Sequence, residues 1–268
     1  MKWFLFQSSM EVEDNMRLYA IKTGLLKTSD NLSDIILESL KEQKLQLEDN
    51  DILAVTSKIV AYAQNRLIRL SDVKPSAKAK ELAQRFSLPT EFAELVLRES
   101  DKIYGGVEKA VLTLKNGILT ANAGIDNKNA PIDNVALWPT NVKEWTTSFR
   151  DEIGRRTGKK IAVLVVDSGL APLRKGTTGL ALSVAGFKPV RDERGERDIY
   201  GKQLVITQHA VADDLASAAH MLMGEGAEKT PMVLIRGAPM EFDDHAYDSE
   251  DMMMPFKECI FMNAFGYS

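Results

Sequence analysis

The sequence predicts a mixed α and β fold, because stretches with strand patterns and stretches with helix patterns interleave along the chain. Residues 161–166 form an uninterrupted aliphatic run, mostly β-branched, of the kind found in buried strands. Leu215, Ala218 and Leu222 recur at helical spacing, and this pattern ends at Gly224. The two kinds of element do not follow a strict strand–helix–strand rhythm. The pattern therefore indicates the class of the fold and leaves its topology open.

The first half of the chain contains the signals for two strands and four helices. Residues 16–22 alternate loosely in hydrophobicity and are followed by Thr23-Gly24, as at the end of a strand. The polar residues 29–31 offer cap oxygens directly before the first helical pattern. The predicted elements are strands over residues 16–22 and 51–55 and helices over residues 32–40, 58–64, 76–86 and 90–98.

The second half begins with a predicted β-hairpin. Asn116-Gly117 separates two apolar runs, and this dipeptide is a strong signal for a tight hairpin turn. A polar loop over residues 122–129 follows. The predicted elements are hairpin strands over residues 111–114 and 118–121, helices over 141–156 and 211–222, and strands over 161–166 and 232–235.

Composition excludes several classes of protein. The chain has 268 residues and a net charge of −4, so we do not expect the basic face that a nucleic-acid-binding protein needs. No stretch approaches the roughly 20 apolar residues of a membrane span. The single cysteine, Cys259, fits a reducing compartment. We therefore expect a cytoplasmic protein that binds neither nucleic acid nor membrane, with residues 1–15 as an extension before the domain.

Three carboxylates and one hydroxyl occupy positions where ligands often bind. Asp126 lies in the polar loop after the hairpin, Asp167 and Ser168 follow a buried strand, and Glu225 lies between two glycines. Carboxylate and hydroxyl oxygens are suitable ligands for Mg²⁺ and Mn²⁺. Each residue also has an ordinary explanation as a turn residue, a helix cap or a solvated charge. These residues taken singly leave the function open.

Two other patterns do not indicate a binding site. The segment from Gly154 to Lys160 resembles a phosphate-binding loop, but the spacing of its glycines is too short and no Ser or Thr follows Lys159. His209, His220 and His245 lack the spacing of metal ligands. We expect His209 and His220 to lie on one helix in structural roles.

A series of short motifs extends over most of the chain. They are GLLK at 24–27, DILAVTSK at 51–58, NAGID at 122–126 with Asn129, VVDS at 165–168 with RKG at 174–176, DIYG at 198–201, VAD at 211–213, and MGEG at 223–226 followed by Arg236-Gly237. This series resembles the coenzyme F420-0:γ-glutamyl ligase family from about residue 16 to about residue 237. The resemblance implies a fold of two intertwined α/β subdomains in a homodimer. The ligase domain is then expected to span residues 16–240, with a tail over 241–268 packed on it.

The resemblance also implies the residues of the site. Asp126, Asp167, Ser168 and Glu225 match ligands of two divalent cations, Mg²⁺ or Mn²⁺, with K⁺ as a further candidate, and the three carboxylates are the expected catalytic residues. The positions that match contacts to GTP are Thr23, Gly24, Leu25, Leu26, Ser57, Lys58, Asn129 and the stretch 223–230, which includes Met223, Gly224 and Gly226. In the implied reaction GTP phosphorylates an acceptor carboxylate, and the amine of L-glutamate attacks the acyl phosphate to form an amide.

Departures from the family pattern leave three functions open. Tyr62 stands where the family has a nucleotide-contacting lysine, although Lys58, one turn earlier, offers a positive charge. The segments around Trp138 and Phe187 are similar to relatives proposed to glutamylate folates. An aromatic wall from these two residues would favour a pterin acceptor, whereas Arg174 would favour the phosphodiester of coenzyme F420-0. The alternatives are a ligase for coenzyme F420-0, a ligase for folate or dihydropteroate, and a nucleotide- and metal-binding protein without ligase activity.

Overall fold

The structure is a computed structural model that describes residues 15–26, 28 and 30–267. Most of the expected N-terminal extension, residues 1–14, lies outside the described residues, as do Lys27 of the first motif and the possible cap residue Ser29. The strands are β1 (Arg17–Ile21), β2 (Ile52–Thr56), β3 (Leu67–Arg69), β4 (Lys102–Val107), β5 (Ala110–Lys115), β6 (Ile118–Ala121), β7 (Asn134–Ala136), β8 (Ala162–Gly169), β9 (Thr178–Phe187), β10 (Arg191–Asp192), β11 (Gln208–His209), β12 (Met232–Arg236) and β13 (Phe242–Asp248). The α-helices are α1 (Leu32–Glu42), α2 (Ser57–Ala63), α3 (Ala77–Phe86), α4 (Thr90–Glu99), α5 (Val142–Thr157), α6 (Val211–Met223), α7 (Ser249–Met252) and α8 (Ile260–Ala264).

A six-stranded sheet in the order β1-β12-β2-β8-β9-β13 forms the centre of the protein. β2 and β8 are parallel, and all other neighbours in this sheet are antiparallel. Because β1 and β2 each pair antiparallel with β12, strands β1, β2 and β8 run in the same direction. Their carboxyl ends therefore lie at the same edge of the sheet.

Helices cover both faces of the central sheet. Val163 and Val165 of β8 point to the face packed by α1 and α5, where Ile36 and Ile153 are fully buried. The intervening residues of β8 point to the opposite face, which α6 covers with an apolar stripe that includes Leu215. This alternation buries β8 on both sides, which explains its uninterrupted aliphatic sequence.

The chain between α2 and α5 builds a second, smaller unit. It contains the sheet β4-β5-β6, the strand pair β3-β7 and the helices α3 and α4. Its core gathers Phe92 and Val96 of α4 with Ile125 and Val135. The loop between β6 and β7, which carries Asp126, therefore belongs to this unit.

The structure confirms the predicted mixed class and most of the predicted elements. β8 continues through Gly169, so Asp167 and Ser168 lie on the strand itself and do not follow it. The sequence patterns missed β9, because nearly all its residues are small or buried and show no alternation. They also missed β13, which pairs with β9 and extends the central sheet beyond residue 240. The expectation that His209 and His220 share a helix is wrong, since His209 lies in β11.

No helix within the described residues combines the length and apolar character that crossing a membrane requires.

Candidate active site

A pocket lies at the edge of the central sheet where β1, β2 and β8 end. The carboxyl ends of such strands are the usual place for ligands in α/β sheets. β12 runs in the opposite direction, so the loop that precedes it reaches the same edge. The polar loop of the second unit closes the pocket from the side.

The proposed cation ligands and nearly all the residues matched to GTP contacts line this pocket, and Glu228 of the stretch 223–230 is the exception. The carboxylates and hydroxyl are Asp126, Asp167, Ser168 and Glu225, and the residues matched to nucleotide contacts are Thr23, Gly24, Leu25, Leu26, Ser57, Lys58, Asn129, Met223, Gly224 and Gly226. They come from five separate segments of the chain. Tertiary structure thus brings together residues that are up to about 200 positions apart.

Asp167 lies half-buried on the floor of the pocket. The backbone N–H of Ser168 donates to its Oδ1 at 2.7 Å, and the indole Nε1 of Trp138 donates to its Oδ2. Burial raises the pKa of Asp167 to about 6, and the nearby negative charge of Asp126 acts in the same direction. Among the described residues no lysine or arginine forms an ion pair with Asp167. Its carboxylate therefore lies in surroundings that favour a bound cation.

Trp138 positions this carboxylate from below. Its side chain is only 4% exposed and packs in the core beneath the sheet edge. Gly124 has a φ of +71°, and a Cβ there would collide with the indole ring, so glycine permits the close approach. Trp138 thus connects the Asp126 loop with Asp167.

Glu225 lies on the opposite rim, just beyond the carboxyl end of α6. Its Oε1 accepts hydrogen bonds from Ser168 Oγ at 2.8 Å and from Thr177 Oγ1 at 2.7 Å, and lies 3.0 Å from His220 Nε2. Burial raises the pKa of Glu225, but the hydrogen bonds from these three side chains and the charge of Lys128 outweigh it and lower the pKa to about 2. Glu225 is therefore fully ionised at neutral pH.

Lys58 joins the two units at the pocket. Its Nζ lies 2.7 Å from Asp126 Oδ2 and donates to the carbonyl oxygen of Lys128 at 2.7 Å. The backbone N–H of Lys128 in turn donates to Asp126 Oδ1 at 2.7 Å. Lys58, in the first turn of α2, therefore holds the loop of the second unit against the central sheet.

Tyr62 completes this connection one turn later. Its hydroxyl donates to the carbonyl oxygen of Asn129 at 2.9 Å, and Asn129 Nδ2 donates to the carbonyl oxygen of Gly226 at 2.8 Å. Tyr62 lines the pocket, so it occupies the region expected for the family's lysine. It contributes an uncharged hydrogen-bond donor there in place of a positive charge.

The donor set fits a hard divalent cation only in part. Within the described part of the chain, no group of three or more His, Cys, Asp or Glu side chains is arranged to hold a metal ion by itself. The half-buried carboxylate of Asp167 and the oxygens of Ser168 and Glu225 nevertheless have the chemistry that Mg²⁺ and Mn²⁺ prefer. A cation here would need phosphate oxygens or water to complete its coordination.

The sequence motifs did not identify three groups that contact the site carboxylates, and they assigned wrong positions to three residues: Trp138, Phe187 and Arg174. His220, Thr177 and Trp138 all contact the site carboxylates, yet only His220 had a sequence signal, one turn before the helix-ending Gly224. The prediction that Trp138 and Phe187 form an aromatic wall for the acceptor is wrong. Phe187 is fully buried on the α6 face of the sheet, and Trp138 lies beneath the pocket. Arg174 is exposed and does not line the pocket.

The fold and the pocket define an α/β enzyme with a carboxylate-rich site at the carboxyl ends of its parallel strands. The chain belongs to the F420-0:Gamma-glutamyl ligase family, whose sequence profile matches residues 20–237. It is 34% identical to the coenzyme F420:L-glutamate ligase of Archaeoglobus fulgidus over 80% of this chain and 84% of that one. It is 36% identical to the enzyme of the same name from Methanosarcina mazei, with 81% and 83% covered. With the Methanothermobacter thermautotrophicus enzyme the identity is 35%, over 80% of this chain and 86% of that one. The chain is accordingly an amide-bond-forming ligase.

Proposed function

We propose that this chain uses GTP to join the amine of L-glutamate to a carboxylate of coenzyme F420-0. The observation that carries the proposal is the convergence of Asp126, Asp167 and Glu225 in one pocket with nearly all the residues matched to the family's GTP contacts. Family membership and the printed activity of the relatives support the acceptor and the amino acid.

The nucleotide occupies the pocket between the two units. The turn after β1, the start of α2 and the loop before β12 supply small residues such as Gly24, Ser57 and Gly226, which leave room for close contact with phosphates. Lys58 and the loop that it holds would shape the side of the pocket. Tyr62 adds no positive charge, so Lys58 and the bound cations carry the electrostatic attraction to the triphosphate.

Asp126, Asp167, Ser168 and Glu225 would hold Mg²⁺ or Mn²⁺, which offset the negative charge of phosphate oxygens when bound. The buried carboxylate of Asp167 supports this assignment, because a cation would relieve the unfavourable burial of its charge. The low pKa of Glu225 keeps that ligand ionised throughout the neutral range. Activity is then expected to depend on added divalent cation.

The proposed reaction has two steps. In the first, an oxygen of the acceptor carboxylate attacks the γ-phosphorus of GTP, and the bond to the β-phosphate oxygen breaks to release GDP. In the second, the glutamate amine attacks the carbonyl carbon of the acyl phosphate, inorganic phosphate leaves, and the amine loses a proton. The role of the protein is to align the reacting groups and exclude water.

Coenzyme F420-0 is favoured over a pterin acceptor. The pterin alternative depended on an aromatic wall from Trp138 and Phe187, and neither side chain lines the pocket. The relatives carry the name of the F420 coenzyme.

The decisive experiment incubates the protein with GTP, L-glutamate, a divalent cation and coenzyme F420-0. We expect a mass increase of one glutamyl residue, with GDP and phosphate released only when acceptor and glutamate are both present. Parallel reactions contain dihydropteroate or folate, or ATP in place of GTP. Glutamylation of a pterin alone would reject the F420 assignment, and product formed equally well with ATP would reject the GTP assignment.

We also propose that the ligase acts as a homodimer, as the family resemblance implies. The segment between β10 and β11 exposes Ile199, Tyr200, Val205 and Ile206, each more than 75% exposed, and a second copy would cover such an apolar surface. Light scattering after size-exclusion chromatography should give twice the mass of the chain. The mass of a single chain at micromolar concentration would contradict this proposal.

A further inference from the structure

Three different donor atoms form a small triangle at the rim of the pocket. Ser168 Oγ lies 3.1 Å from His220 Nε2 and 2.8 Å from Glu225 Oε1, and His220 Nε2 lies 3.0 Å from Glu225 Oε1. One atom comes from β8, one from the last turns of α6 and one from the loop beyond it. The triangle is therefore assembled by the fold from three separate segments.

The dimensions of the triangle match one face of an octahedron. For metal–donor distances of about 2.1 Å, neighbouring donors of an octahedral ion lie about 3.0 Å apart. All three sides of the triangle fall close to this value. The remaining positions of such an ion would face the pocket, where phosphate oxygens and water can reach it.

The histidine is held in this arrangement by the helix that carries it. Its side chain is 14% exposed, and its neighbours Ala219 and Met223 on α6 are buried against the central sheet. The ring is further positioned by its contacts with Ser168 Oγ and Glu225 Oε1. The other two histidines differ, because the side chains of His209 and His245 are 45% and 81% exposed and lie outside the pocket.

We infer that His220 Nε2 is a nitrogen ligand of one of the two proposed cations, together with Ser168 Oγ and Glu225 Oε1. Imidazole nitrogen binds transition metals readily, whereas Mg²⁺ strongly prefers oxygen. This position therefore selects Mn²⁺ over Mg²⁺. The inference rests on the proposed cation-dependent function and adds the identity of a ligand and the class of metal that it selects.

The test begins with wild-type protein, Mn²⁺ and a non-hydrolysable GTP analogue. Electron spin echo spectroscopy of the bound Mn²⁺ should show modulation from a directly coordinated imidazole nitrogen. In His220→Gln this signal should disappear. Calorimetric titration should show Mn²⁺ affinity weakened at least about 10-fold and Mg²⁺ affinity within about 3-fold of wild type. His209→Gln is the matched control and should leave the signal and both affinities unchanged.

The outcomes separate this inference from the function on which it rests. If wild-type protein binds Mn²⁺ without a nitrogen signal, or if His220→Gln weakens both cations equally, His220 is not a ligand and only this inference fails. If wild-type protein with nucleotide binds no divalent cation, the cation-dependent function fails as well. The spectrum of the wild-type protein decides the point even if the variant folds poorly.

Discussion

The floor and the rim of the pocket contain carboxylates whose pKa values are shifted in opposite directions. Asp167, on the floor, is enclosed by the sheet and the indole of Trp138, and burial raises its pKa to about 6. Glu225, on the rim, accepts hydrogen bonds from the hydroxyls of Ser168 and Thr177 on the oxygen that also contacts His220 Nε2, and its pKa falls to about 2. Both residues line the same cavity.

In the proposed function, this difference gives the two cations different surroundings in one pocket. The charge on Asp167 is unfavourable until a cation arrives, so binding there is coupled to ionisation of the carboxylate. The charge on Glu225 is already stabilised by its neighbours, and these donors must reorganise when a cation binds. We expect the floor site to dominate activity and the rim site to tune which metal is bound.

Asp167→Asn should produce the largest effect on activity. Losing the carboxylate removes a cation ligand, so kcat/KM should fall about 1,000-fold, or about 4 kcal/mol. Steady-state kinetics at several Mn²⁺ concentrations measures this loss, and the exposed Asp151→Asn on α5 serves as a control. Wild-type turnover at limiting Mn²⁺ would show that Asp167 is not a cation ligand.

The same variant should be more stable than the wild type without ligands. Because the folded pKa of Asp167 is raised, the carboxyl ionises at lower pH in the unfolded chain, and the folded state is penalised above about pH 6. Asparagine removes this penalty, so unfolding at pH 7.5 should require about 1–2 kcal/mol more. The difference should shrink as the pH falls from 6 towards 4. Equal stability at pH 7.5 would argue against the buried charge.

Glu225→Gln should have a smaller effect on activity, about 100-fold in kcat/KM. The amide keeps an acceptor for the hydroxyls of Ser168 and Thr177 but loses the charge. Nucleotide should still bind, since Asp167 and Lys58 are intact. Kinetics and nucleotide titration, with exposed Glu144→Gln as control, distinguish this result from general loss of folding. If kcat/KM falls as much in Glu225→Gln as in Asp167→Asn, the two carboxylates do not differ in their importance for activity as proposed.

Trp138→Phe should weaken cation binding at Asp167 without abolishing it. The ring still fills the core, but the N–H donor to Asp167 is lost, so Mn²⁺ affinity should fall about 10-fold, as for other hydrogen-bond partners of metal ligands. Trp145→Phe is the matched control, because Trp145 stacks on Phe149 with ring centroids 4.8 Å apart and lies outside the pocket. Equal loss of affinity in both variants would mean that packing alone is responsible.

Glu94→Gln should have the smallest effect and no effect on activity. Glu94 lies in the second unit, where hydrogen bonds from Ser76 and Arg98 lower its pKa to about 2. Its ionised form stabilises the fold above the unfolded pKa, and this contribution is lost as the pH falls from about 4.5 to 2. Acid unfolding of the variant should therefore vary less with pH than that of wild type or of Glu81→Gln. A loss of activity at neutral pH would contradict the structural role.

Local patterns anticipated much of the fold, but not all of it. The capped helix α1 is explained by Asn31, whose side chain accepts from the backbone of Asp34, and the hairpin β5-β6 by its Asn-Gly turn. β9 and β13 could not be predicted, because their burial depends on strands from distant parts of the chain. The motifs supplied most of the polar candidates that line the pocket, but they gave no hint that Thr177 and Trp138 would contact its carboxylates.

The sequence by itself determined the class of fold and the family and supplied the candidate site residues, because hydrophobic periodicity and short motifs are local properties of the chain. Tertiary structure alone decided the direction in which the pKa of each site carboxylate is shifted. Asp167 and Glu225 are both carboxylates, and nothing in their neighbouring residues indicates that their pKa values move in opposite directions. Burial, distant hydrogen-bond donors and the meeting of β8 with the end of α6 set that difference, and each depends on residues far apart in sequence.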